Sequence, residues 1–121
     1  MMRDIRKEVI DKLKNDSALT TLLANNADSI YMNYSENAGS YPVVVVHIVD
    51  EVADTFADND EVWNRIRYQI TIITKDAEYN NIEQRIKLDM KELGFVRSIT
   101  TDFKEGSLHY RVLQFVIGLQ P

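Results

Sequence analysis

Half of the twelve residues in DEVADTFADNDE are carboxylic acids: Asp50, Glu51, Asp54, Asp58, Asp60 and Glu61, with no Lys or Arg between them. Clustered carboxylates suit two kinds of chemistry, coordination of a hard cation and acid–base work beside a histidine. The calcium pattern D-x-[DN]-x-[DN]-G needs glycine at its sixth position for a sharp turn, and this stretch contains none. That leaves at most an adventitious Ca²⁺ or Mg²⁺ contact. A solvated hairpin tip is the expected reading.

The two histidines, His47 and His109, lie far apart and inside strand-like runs. They would matter only if folding brought them to the acids, and a packed and a surface histidine are the simpler reading. No G-x-S-x-G, H-E-x-x-H or phosphate-cradling glycine loop is present, and the four glycines are isolated. Cysteine is absent, so there is no thiol nucleophile, disulfide frame or thiolate metal site. No catalytic residue, metal ligand or cofactor is assigned, and the chain is expected not to be an enzyme.

Recognition chemistry has better candidates. Trp63, Arg65 and Arg67 recur at every second position, opposite an apolar row, and these residue types are enriched at binding hot spots. They form a candidate protein–protein surface, unless Trp63 packs under a neighbouring loop. By contrast, Arg3, Arg6, Lys7, Lys12 and Lys14 interleave with Asp4, Glu8 and Asp11. That mixture reads as a solvated helix face with weak local pairs.

The elements that must position these groups follow from periodicity. Ile5, Val9, Ile10 and Leu13 recur at helical spacing. Asn15-Asp16-Ser17 then caps a short second helix carrying Leu19, Leu22 and Leu23. Ser29 to Asn33 reads as a short strand, with Ile30 and Met32 on one side and Tyr31 on the other. After the polar loop SENAGS, Tyr41-Pro42 opens a long strand, Val43 to Val49, apolar on both faces. Val62 to Lys75 alternates: Val62, Ile66, Tyr68, Ile70 and Ile72 face one way, with Asn64 the polar exception there, and Arg65, Arg67, Gln69, Thr71 and Lys75 the other. A helix from Tyr79 to Leu93 carries Ile82, Ile86, Met90 and Leu93 and stops at Gly94. Phe95 to Phe103 alternates again, Lys104 to Ser107 turns, and Leu108 to Leu119 returns as a strand apolar on both faces.

These runs predict an α+β fold: one domain over residues 1–121, mainly an antiparallel sheet of four to five strands. An N-terminal helix and a crossover helix pack on it, in the order α-α-β-β-β-α-β-β. With 121 residues, 45% of them hydrophobic, the chain can bury a core. A strand apolar on both faces must be covered twice, either by helices or by a second copy in a symmetric oligomer. The formal net charge of −5 argues against broad binding to DNA or anionic membranes. No signal peptide or membrane span is expected, because MMRDIRKEVIDKLK is charged from its third residue and no run approaches about 18 apolar residues.

Taken in order, "SIYMNY", "YPVVVVHIV", the acidic hairpin, "RYQITIITKD", "NNIEQRIKLDMKELGF" and "HYRVLQFVIGL" carry a resemblance over nearly the whole chain. The chain resembles the small tail terminator, or tail completion, proteins of long-tailed bacteriophages and prophages. The aromatic-Pro-hydrophobic strand, the strand-KD-helix junction and the "LGF" exit carry its specificity.

The resemblance implies a head–tail joining role in virion assembly. Such proteins form an oligomeric ring, commonly a hexamer, that caps the tail tube and meets the head-side connector protein. It implies localisation at the tail–neck junction of the virion, and in the host cytoplasm before assembly. Neither specific nucleic-acid binding nor membrane association is implied. In such a ring the acids at Asp50, Glu51, Asp54, Asp58, Asp60 and Glu61 would line the channel and repel phosphate within a Debye length of about 8–10 Å. Alternatively they would dock on a basic partner, or simply keep the subunit soluble. The alternative function is a small dimeric ligand-binding or regulatory module; a metal-dependent hydrolase ranks third.

Overall fold

The computed structural model describes residues 5–32, 40–55 and 62–119, leaving aside the side chains at 52–55, 62–64 and 119. Two long strands, β2 (Val43–Thr55) and β3 (Val62–Thr74), form an antiparallel hairpin. With β1 (Ile30–Met32), β4 (Val96–Glu105) and β5 (Leu108–Leu119) they make one five-stranded sheet. The strand order is β1-β2-β3-β5-β4, with β1 parallel to β2 and every other pair antiparallel. The final strand therefore lies inside the sheet, between β3 and β4.

The alternation on β3 decides which side of the sheet is the core. Ile66, Tyr68, Ile70 and Ile72 are buried together with Val44 and Val46 of β2 and Leu113, Phe115 and Ile117 of β5. Helix α1 (Ile5–Lys14) presents Ile5, Val9 and Leu13 to this cluster. The single-turn α2 (Ser17–Thr20) adds Leu19, and α3 (Asn80–Glu92) adds Ile82, Ile86 and Met90. All three helices thus cover the same face. The α+β architecture and element order expected from periodicity are found, with a 3₁₀ turn at Asn26–Ser29 before β1.

Local signals explain the helix boundaries. Asp16 accepts from the backbone N–H of Ala18 at 3.0 Å and of Leu19 at 3.3 Å, satisfying donors that open α2. At the end of α3, Gly94 N–H donates to Lys91 C=O and Phe95 N–H to Met90 C=O, with Gly94 at φ 100°. That is a Schellman ending, which favours glycine at this left-handed position. It folds Phe95 back into the core, where its ring meets Tyr68 edge-on at 5.6 Å.

Burial also explains α3's polar anchor. Glu83 faces the sheet with only 6% of its side chain exposed and receives Arg111 Nε at 2.6 Å and Lys87 Nζ at 2.5 Å. Burial alone would raise this carboxyl, but the hydrogen bonds from Arg111 and Lys87 outweigh it and hold it below the ordinary range.

Candidate functional site: the helix-free face of the sheet

The strand register assigns the opposite face residue by residue. Trp63, Arg65, Arg67, Gln69, Thr71 and Ile73 of β3 lie opposite Asp54, Val52, Asp50, His47, Val45 and Val43 of β2. On β5 the matching row is Gly118, Val116, Gln114, Val112 and Tyr110. No helix among the described residues packs here. Coverage comes from the side chains themselves, leaving Val112 only 8% exposed. The expectation that β2 and β5 need a second layer over this face is therefore met only partly, by a thin satellite cluster. Val43, Val45 and Ile73 are buried in it, under Tyr31, Tyr41, Leu108 and Tyr110.

The face is graded along the strands. At the end nearest the β4–β5 turn it is aromatic: Phe103 stacks on Tyr110 at 4.7 Å, and Lys75 sits over the Tyr41 ring at 5.6 Å. In the middle it is polar. Gln114 Nε2 donates to Gln69 Oε1 at 3.2 Å, and Gln69 Nε2 donates to Thr71 Oγ1 at 3.3 Å. Toward the acidic hairpin it is charged, with Arg67 Nε 3.7 Å from Asp50 Oδ1.

The candidate residues from the sequence divide accordingly. Arg65 and Arg67 do lie on the face opposite the apolar row, and the register puts Trp63 beside them. Asp50 and Glu51 are strand residues: the register aligns Asp50 with Arg67 and Glu51 with Ile66, so these two point to opposite faces. Asp54 is also in the strand by its backbone, while Asp58, Asp60 and Glu61 lie outside the described residues. Glycine-bearing SENAGS lies almost wholly outside them too.

His47 and His109 end on opposite faces: His47 is aligned with Gln69 on the helix-free side, and His109 with Thr74 on the helix side. Among the described residues no group of three or more His, Cys, Asp or Glu could hold a metal ion. No helix among them is long and apolar enough to cross a membrane.

Edge strand β4 adds what periodicity missed. Val96, Ile99 and Phe103 are exposed by 70%, 52% and 51% and share the helix-free face. Simple alternation puts Arg97 with Ile99, but a register shift between them turns Arg97 to the helix side. Three apolar side chains on one outer strand were visible as letters; only the pairing shows that they stand together.

No protein-family model matches the chain, and no curated protein matches it in sequence. A chain from the virion of a native gene transfer agent particle has the same fold, with a TM-score of 0.65 and 12% identity. The match covers 93% of this chain and 92% of that one. At that identity the likeness is one of fold.

Proposed function

We propose that this chain is a structural virion protein: a tail terminator whose subunits form a ring, commonly of six, on the phage tail tube. The ring then joins the tube to the head-side connector. The observation that carries this reading is the end-to-end fold likeness to a virion chain, which agrees with the resemblance borne by the order of the sequence segments. The helix-free face supports it by offering aromatic, exposed apolar and arginine-bearing ground for contacts between subunits and with the tube. The acidic hairpin then repels the passing genome from the channel or steers docking onto a basic partner surface.

Purified protein incubated with tail tubes tests this directly. Electron microscopy should find a ring at one tube end, and native mass spectrometry should give its copy number. Tubes that stay uncapped at saturating protein would overturn the reading.

A further inference from the structure

Beneath the rim of a cleft of about 460 Å³ between α1, the α2 cap and α3, a second acid is buried. Asp89 of α3 is 2% exposed, and no conventional donor reaches its buried Oδ2. Asp16 lines the same cleft as this acid, at the start of α2. Two ionised carboxylates have no hydrogen to place between them, so a bond between these two acids requires a proton on one of them. Asp16 is the group held ionised: Arg85 reaches it with Nε at 3.2 Å and with Nη2 at 3.1 Å, and two amides of α2 donate to it. Asp89 is left as the acid that keeps the proton.

We propose that the Asp16–Asp89 pair is a proton-operated latch that ties the α1–α2 segment to α3. The charged groups around Asp89 are Asp16, Arg85 and Lys12, with Glu8, Asp11 and Glu92 at the rim. Lys12 is engaged with Glu92 at 3.3 Å, and both reaching arms of Arg85 are spent on Asp16. An ionised Asp89 would therefore stand against Asp16 without a cation of its own. Burial first, and then the bond to Asp16, push its carboxyl up to about 7. Opening the latch exposes Asp89, which then releases its proton, so opening becomes easier as pH rises toward the closed-state value and levels off above it.

Carboxyl-carbon NMR and amide hydrogen exchange on the intact chain test this. One aspartate carboxyl should titrate near neutrality and disappear in Asp89→Asn, which keeps a donor for Asp16. After correction for intrinsic rates, the opening constant at the Ala18 and Leu19 amides should rise roughly tenfold per pH unit between about pH 5 and 7. In Asp89→Asn it should stay flat. An Asp89 carboxyl that titrates below about pH 5 in the wild-type chain overturns the latch, as does an identical exchange profile in both proteins.

Discussion

Arg111 of β5 and Glu83 of α3 meet at 2.6 Å under the helix, 28 residues apart in the chain. The pair is the polar link between the crossover helix and an interior strand, and Tyr79 and Asp102 extend it outward. Tyr79 donates to Asp102 at 3.0 Å, and Arg111 lies 5.4 Å from the Tyr79 ring centroid.

Removing the guanidinium leaves Glu83 buried with Lys87 as its remaining cation. Arg111→Leu should therefore cost about 1–3 kcal/mol in urea unfolding at neutral pH. Because the folded Glu83 carboxyl lies below its unfolded value, the stability it confers is present above that unfolded value. It is lost as pH falls through the folded one. The difference between wild type and Arg111→Leu should shrink in acid.

Gly94 sits at φ 100°, and a Cβ there would meet Ile117 Cδ1 at 3.5 Å, an ordinary contact. Space is thus available and the backbone conformation decides the outcome. Gly94→Ala should lower stability by about 1 kcal/mol in thermal or urea melts.

Buried and exposed isoleucines should separate folding from assembly. Ile70→Asp or Ile86→Asp puts an unpaired charge where the native side chain is fully buried, and circular dichroism should show loss of the fold. Ile99→Lys with Phe103→Lys, on half-exposed β4 positions, should leave the melt within about 1 kcal/mol of wild type. If the proposed ring forms through this face, the same variant should lower its occupancy in native mass spectrometry.

The Arg67–Asp50 pair is more than a third exposed on both sides and holds little stability. Arg65→Ala with Arg67→Ala should leave folding unchanged and weaken capping of tail tubes, read by pull-down.

Charge at the hairpin should matter to assembly rather than to folding. Replacing Asp54, Asp58 and Asp60 by Asn should leave the unfolding curve in place and reduce infectivity in complementation. Undiminished titres would assign these acids to solubility alone.

The legible parts of this fold were those governed by local repetition. Alternation, broken only at Asn64, marks β3 and its two faces, Asp16 and Gly94 mark helix boundaries, and the last strand runs from Leu108 to Leu119 as expected. What periodicity could not supply depends on a partner strand or a distant residue. The register shifts at Ile48/Asp50 and Arg97/Ile99 exist only relative to β3 and β5. The Asp16–Arg85 contact spans 69 residues, and neither side chain carries a local sign of it. Asp50 and Glu51 read from sequence as part of a hairpin tip, yet both pair within the ladder, because composition alone does not reveal how far a hairpin's ladder continues.

The placement of β5 between β3 and β4 bears on the order in which the protein can be made. When β3 and α3 leave the ribosome, the strand that must lie against β3 has not been synthesised. The β2–β3 hairpin and the α3 amphipathic face can form early, but one flank of β3 then waits with its amides open. The tight turn at Gly106 makes β4 and β5 neighbours in sequence as well as in the sheet, so this pair needs only local contacts, whereas the β3–β5 pairing must wait for the last strand. A nascent or truncated chain lacking β5 would leave strands on both sides without a partner, exposing edges prone to aggregation.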